Sequence, residues 1–375
     1  MRIALFTPYS PELGGGSVQL RSHIEQLPEL DIQWYYLSPA ALPPERGARR
    51  QWLGRPFTPS KFLLDLCART GILPGSTRTT REIVSRLHAD LFWIVAHYEG
   101  ICVADELLAQ GKKVHLTVHD EPLAMCVRSR RYRLFRPLIA HTFSRVLRGA
   151  QSVDTTSTVM RDYFLRTYHV DCFALYKYLA ELPLMPDCRT AHTLTVGHIG
   201  SLYHPAPFRR FVRACREYAT QHQRSLKIVR IGSSPEMDKV AAESPGEFEQ
   251  AGELLEKDAL PVLARCDFVY AMYPQGHRFE GFRRMSLPIK LSTYVQAQRP
   301  IFAHTPEDSG LAQLVSRYGV GAVCSSQEAN AIRQSIEDML VTQVTRENFE
   351  ALRRDLMGEE QVLQLREALS GATAR

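Results

Sequence analysis

The chain has 375 residues, more than one hydrophobic core usually supports, so two domains are expected. Its 45% apolar and 23% charged content is that of an ordinary globular protein, and the absence of any apolar run near 18 residues excludes a transmembrane helix. The formal net charge of +6 is uneven: residues 1–185 carry 23 Lys and Arg against 17 Asp and Glu, whereas residues 186–375 carry 23 of each, so the first half is the one suited to an anionic partner.

The opening, Met1-Arg2-Ile3-Ala4-Leu5-Phe6, lacks the basic region and long apolar core of a signal peptide and reads as a strand. A Pro/Gly-rich loop over 9–16 leads to an amphipathic helix over 18–27 and a second strand over 32–37. Residues 39–80, rich in Pro, Gly and Arg, break the pattern and read as an excursion. Alternation resumes with strand 91–95, helix 100–110, strand 114–118, helix 134–148 and strand 152–155. A second alternation begins with strand 195–200, helix 206–221, strand 226–231 and helix 236–242. After a loop come helix 258–265, strand 267–271, a helix led by Pro288, strand 301–303 and terminal helices over 328–341 and 346–369.

Strands alternating with helices argue for parallel sheets. The expected fold class is therefore α/β, with two Rossmann-like doubly wound domains, 1–185 and 186–375, a hinge near 180–194, and the last helix a candidate to cross back to the first domain. Ligands of such sheets bind at the carboxyl ends of the strands, and the cleft between two facing domains is the expected site.

The eight cysteines are scattered and none forms a C-x-x-C pair, which predicts free thiols in a reducing cytoplasm. No D-x-D and no His/Cys/carboxylate cluster with metal spacing occurs, so neither a metal nor a cofactor is expected. Four constellations carry chemistry. Gly14-Gly15-Gly16 opens a helix after the first strand and leaves free amides for a phosphate or a sugar. His119-Asp120-Glu121-Pro122 sits at the carboxyl end of strand 114–118, with Asp120 a candidate helix cap. Gly200-Ser201 follows the first strand of the second half, where its amides suit a diphosphate. In 286–304, Ser286 and Leu287 precede a helix started by Pro288, with Lys290 one turn in, so that a helix N-terminus and a cation meet at one spot.

The segment Pro288-Ile289-Lys290-Leu291-Ser292-Thr293-Tyr294-Val295-Gln296-Ala297-Gln298-Arg299-Pro300-Ile301 resembles the "P-s-K-l-x-E-Y-l-a-x-G-x-P-v" donor segment of retaining glycosyltransferases with the GT-B fold. The opening "Phe6-Thr7-Pro8-Tyr9…Gly14-Gly15-Gly16" resembles the start of the family-4 type. The resemblance implies a metal-independent enzyme that moves a sugar from a nucleotide-sugar to a glycan or lipid-linked acceptor with retention of configuration. It implies that Gly15, Gly16, Gly200, Ser201, Ser286, Leu287, Lys290 and Thr293 meet the donor, that Gly14 and Asp120 contact the acceptor or its loop, and that His119 and Glu280 are catalytic, His119 contacting the donor sugar and Glu280 matching the first half of an E-x7-E signature.

The chain departs from that pattern in two places. Ser201 and Ala206-Pro207 stand where the family carries an Arg and a Lys for the diphosphate, with Arg209 and Arg210 farther on. Thr293 stands where the family carries the glutamate that binds the ribose. These losses are also what a non-catalytic GT-B protein would show, which is the alternative reading; a nucleotide-sugar epimerase of the same fold is another. Finally, Arg128, Arg130, Arg131, Arg133 and Arg136 lie near Tyr132 and Phe135, and Arg46, Arg49, Arg50 and Arg55 near Trp52, Phe57 and Phe62. Cations mixed with aromatics suit the anionic inner face of a membrane or a merely solvated surface, and no motif supports nucleic acid.

Overall fold

The structure, a computed structural model, describes residues 1–12, 14–42, 49–72, 78–126, 130–185 and 190–371. They form two compact units, Met1–Tyr178 with Leu356–Arg375, and Leu179–Asp355.

The first unit is built on seven parallel strands: β1 (Arg2–Thr7), β2 (Asp31–Leu37), β3 (Arg50–Gly54), β4 (Leu91–Val95), β5 (Val114–Val118), β6 (Ser152–Thr155) and β7 (Phe173–Ala174), in the order β3-β2-β1-β4-β5-β6-β7. β4 and β5 are buried along their whole length, because a parallel sheet is covered on both faces; β4 is an unbroken apolar run, whereas His115 and Thr117 of β5 are satisfied by Asp154 of β6. The described part of the 39–80 segment adds regular elements to this unit. Its Arg50–Gly54 extends the sheet as β3, and Thr58-Pro59 starts a helix, Pro59–Arg69, by capping the Lys61 N–H at 3.2 Å. Arg69 then ties that helix down, pairing with Asp65, Asp105 and Glu106 at 3.1, 3.4 and 3.1 Å in a buried ionic network.

The second unit has six parallel strands: β8 (Thr193–Ile199), β9 (Ser225–Ile231), β10 (Phe248–Gln250), β11 (Phe268–Met272), β12 (Ile301–His304) and β13 (Gly321–Cys324), in the order β10-β9-β8-β11-β12-β13. Helices Pro205–Gln221 and Ala329–Val341 bury Phe208, Phe211, Ile332 and Ile336 against Phe268, Tyr270 and Phe302 of the sheet.

The pattern read as one terminal helix over 346–369 is two, Arg346–Met357 and Glu359–Ser370, because Gly358 leaves the helical conformation and its N–H is taken by the Gln361 side chain at 2.9 Å. The second of these belongs to the first unit. Val362, Leu365 and Leu369 enter the cluster of Ile3, Leu5, Trp34 and Trp93, and Arg366 donates to Glu29 at 2.8 Å and to the Gln26 carbonyl at 3.0 Å.

Candidate functional site

In the first sheet the strand order reverses between β1 and β4, so the segments leaving those strands part and open a crevice at their carboxyl ends. A cavity of about 250 Å³ lies there, lined by Tyr9, Gly14 and Gly16 after β1, Ala96 and His97 after β4, and His119 and Asp120 after β5. A larger cavity, about 580 Å³, lies instead at the amino-terminal starts of β2 and β3 beside Asp31 and Arg50; it holds none of the expected site residues.

The glycines shape the smaller cavity by what they lack. Gly14 sits at φ 90°, which favours glycine, and precedes helix Gly15–Glu25. A Cβ on Gly16 would lie 2.6 Å from both His119 Nδ1 and the Tyr9 hydroxyl, so the helix can approach these groups only without a side chain there. Tyr9 and His119 are themselves 3.1 Å apart, hydroxyl to Nδ1. Burial holds the Tyr9 phenol protonated and pushes His119 down to about 4, so the imidazole is neutral at physiological pH. Where Tyr9 donates to Nδ1, the ring proton sits on Nε2, which is buried and, among the described residues, has no hydrogen-bond partner. A neutral N–H with nothing to bond points to a ligand hydroxyl or carbonyl. It does not suit a general base.

Asp120 lines the cavity, and the cap expected of it is made by its neighbour: the buried Glu121 accepts the Ala124 N–H at 2.5 Å and starts helix Pro122–Met125. Tyr9 and His97 complete the wall. Nothing in the sequence singled out His97; only the register of β4 beside β1 places it here.

The aromatic residues near the basic stretches divide. Phe62 is 1% exposed and packs edge-on against Tyr98 and Tyr132, at 5.7 and 6.0 Å between centroids, so it is core and not a surface anchor. The apolar groups left in solvent are Leu64, 60% exposed, and Leu134, 78% exposed, on the two helices that Phe62 and Tyr132 bring together. Arg133 and Arg136 are exposed; Arg46 and Arg128, and the side chains of Arg130 and Arg131, lie outside the described residues.

In the second unit the order reverses between β8 and β11. Three glycines at positive φ leave adjacent strands: Gly200 (75°) after β8, Gly232 (87°) after β9 and Gly252 (80°) after β10. They are stitched together, Gly200 N–H to the Ile231 carbonyl at 2.8 Å and Gly232 N–H to the Gly252 carbonyl at 2.8 Å. The Gly200 N–H is therefore spent within the fold, and the Leu202 N–H goes to Ser234 Oγ at 3.2 Å, which leaves the Ser201 N–H as this loop's candidate for an anion.

Lys290 is the first residue of helix Lys290–Ala297, not one turn in; Pro288 and Ile289 form a turn before it, with the Leu291 N–H on the Pro288 carbonyl at 2.9 Å. Its ammonium lies 3.3 Å from the Ser201 carbonyl and 3.5 Å from His198 Nε2. The residue is partly exposed, and desolvation brings the ammonium down to about 7. Among the described residues no carboxylate lies within ion-pair distance of it, and a desolvated cation without a counter-charge is an anion site.

Ser286 is buried, and its N–H closes the preceding helix on the Phe282 carbonyl at 2.9 Å; Leu287 is half-buried beside Gly310. Thr293 is buried too, and donates to Glu256 Oε1 at 3.1 Å, where Gln296 also donates at 2.7 Å. A carboxylate thus stands against the Thr293 slot, supplied by another helix, Glu256–Ala264. Sequence reading missed it because 37 residues separate Glu256 from Thr293. Glu280 begins helix Glu280–Met285, and its carboxylate is engaged by Arg284 at 2.8 Å. Arg209 pairs with Glu243 and Arg210 with Gln327 on an exposed face, away from any phosphate role.

No protein-family model matches the chain, and no curated protein matches it in sequence. Solved structures do. The α,α-trehalose-phosphate synthase (UDP-forming) of Burkholderia vietnamiensis aligns with a TM-score of 0.66 at 12% identity, over 100% of this chain and 99% of that one. The lipopolysaccharide outer core galactosyltransferase WaaB gives 0.64 at 10% identity over 100% of both chains. HepE of Anabaena, solved in complex with UDP, gives 0.62 at 15% identity over 99% of this chain and 100% of that one. At such identities the likeness is one of fold, and over its full length this chain has the GT-B fold of two doubly wound, Rossmann-like α/β domains that those glycosyltransferases share.

Proposed function

We propose that the protein is a retaining glycosyltransferase of the family-4 type, moving a sugar from a nucleotide-sugar donor to a glycan or lipid-linked acceptor without a metal. The observation that carries this reading is the Lys290 site: a desolvated ammonium with no carboxylate partner among the described residues, at the N-terminus of a helix and against the Gly200–Ser201 loop, at the switch point of a doubly wound sheet. In this reading the second unit holds the donor. Lys290, the Ser201 N–H and the helix N-terminus neutralise its diphosphate, and Glu256, oriented by Thr293 and Gln296, accepts from the ribose hydroxyls. The first unit serves the acceptor, with His119 in the cavity it shares with Tyr9, Gly16 and Asp120.

The donor's anomeric C–O bond to the β-phosphate breaks as the acceptor oxygen bonds to the same face of that carbon. The departing phosphate takes the acceptor's proton, so no protein base is needed, consistent with a neutral His119. The positive charge at Lys290 stabilises the phosphate as it gains charge.

The test is thermal shift against UDP, GDP, ADP and their sugars, followed by donor hydrolysis. Stabilisation by one nucleotide family together with slow hydrolysis of its sugar is expected. Binding without turnover would instead select the non-catalytic reading, which the engagement of Glu280 by Arg284 favours.

A membrane-bound acceptor is supported by the exposed Leu64 and Leu134 beside Lys61, Arg133 and Arg136, and by the lack of any acidic residue between Pro122 and Val153. We expect sedimentation with vesicles containing anionic lipid and not with neutral ones, at about 1 kcal/mol per cation near the surface, fading as salt rises above about 0.1 M. Leu64→Ser with Leu134→Ser should lower it further. Equal recovery with both vesicle types would point to a soluble acceptor.

A further inference from the structure

We propose that His198 is a positioning residue: its Nε2 holds the Lys290 ammonium over the Gly200 loop and so sets where a donor's diphosphate is gripped. The inference rests on the donor reading of the Lys290 site. His198 is 1% exposed near the end of β8, and its Nδ1 lies 3.1 Å from the Tyr270 carbonyl. A carbonyl only accepts, so Nδ1 carries the proton. Burial, and then the nearby Lys290 charge, hold the ring neutral, well below the usual histidine range. Nε2 then accepts, while an ammonium only donates, and the two stand 3.5 Å apart, with the Gly200 and Ser201 backbone also beside the ring.

The ring is anchored from two sides. The Tyr270 carbonyl of β11 also accepts from the Tyr294 hydroxyl at 2.9 Å, and that hydroxyl accepts the Ile199 N–H at 3.1 Å. Among the described residues the polar groups packed around Lys290 are thus His198 from β8, the Gly200 and Ser201 backbone of the loop, and Tyr270 and Tyr294 behind His198, all uncharged. Two neutral acceptors orient the ammonium without cancelling its charge and leave one of its three donors for a ligand. A bound anion would favour the protonated form, so the complex holds a proton that the free protein partly lacks near neutrality. Affinity must then be greatest below about 7 and fall as pH rises.

His198→Asn keeps a donor for the Tyr270 carbonyl and removes the Nε2 acceptor. Binding of UDP and of pyrophosphate by calorimetry, at about pH 6, 7 and 8, compares it with wild type; Lys290→Arg serves as a variant that cannot deprotonate. The ligands' own titration cancels in the ratio. Without Nε2 the free ammonium loses a partner and deprotonates more readily, so His198→Asn should bind about 5- to 20-fold more weakly at the highest pH and within about threefold of wild type at the lowest. Lys290→Arg should lack the alkaline decline specific to the lysine. An equal loss at every pH, or none, overturns the positioning role while leaving the donor site standing. If wild type binds neither probe, the donor reading falls, and this inference with it.

Discussion

Lys290→Ala is expected to weaken binding of the matching nucleoside diphosphate by about 1.5–3 kcal/mol, the range for a hydrogen bond to a charged group, which is roughly 10- to 150-fold. The bare nucleoside should bind as before, because the ammonium meets the loop after β8 and the end of that strand, where a diphosphate would sit. The size of the effect follows from the absence of substitutes. Ser201 stands where a guanidinium would share the load, and Arg209 is paired with Glu243. Titration calorimetry with the two ligands decides the matter. An equal loss for nucleoside and diphosphate would remove Lys290 from phosphate contact.

His119→Ala should lower kcat by about 10²-fold with nucleotide affinity unchanged, since in this reading the first unit serves the acceptor and the second holds the diphosphate. Gly16→Ala provides an independent check. Its Cβ would stand 2.6 Å from His119 Nδ1, well inside van der Waals contact, so the ring must shift. The helix propensity that alanine gains, about 1 kcal/mol at most, is less than overpacking the Tyr9 and His119 rings costs, about 1–3 kcal/mol, so the melting temperature and the turnover should both fall. Normal turnover in both variants, with sugar transfer measured directly, would exclude this wall of the cavity from the chemistry. No activity limb near the ordinary histidine range is expected from His119, because burial has moved it to about 4.

Much of the architecture was legible from period and punctuation. Strands 91–95, 114–118 and 152–155 match β4, β5 and β6; β4 is an uninterrupted apolar run, as a fully buried parallel strand can be, and the β-branched residues of β5 and β6 mark the other two. The short edge strands were not legible. Arg50-Gln51-Trp52-Leu53-Gly54 has no apolar run, and becomes a strand only because β2 offers it a partner; the same holds for Phe248–Gln250 beside β9. Phe62 looked like surface chemistry from its basic neighbourhood. Its burial depends on Tyr98 and Tyr132, two contacts at long range.

The candidate site divides along the same line. Residues in local motifs, such as Gly16, His119 and Lys290, could be named from the sequence, whereas His97, His198 and Glu256 could not, because strand register and helix packing alone bring them to their partners. The fate of individual hydrogen bonds was likewise invisible. Gly200 has the backbone conformation of a ligand loop, yet its N–H is already given to Ile231.

The return of helix Glu359–Ser370 to the first sheet has a consequence for biosynthesis. A polypeptide emerges from the ribosome in order, and domains usually close from the N-terminus onward at roughly 5–20 residues per second. Here Leu5 and Trp34 wait for Leu365 and Leu369, which are added only after the whole second unit, on the order of 10–40 seconds after Tyr178. During that interval the nascent first unit carries an uncovered apolar flank, a surface for chaperones to hold. The second unit, complete at Asp355, can reach its native packing first, so the chain matures in the reverse of its order of synthesis.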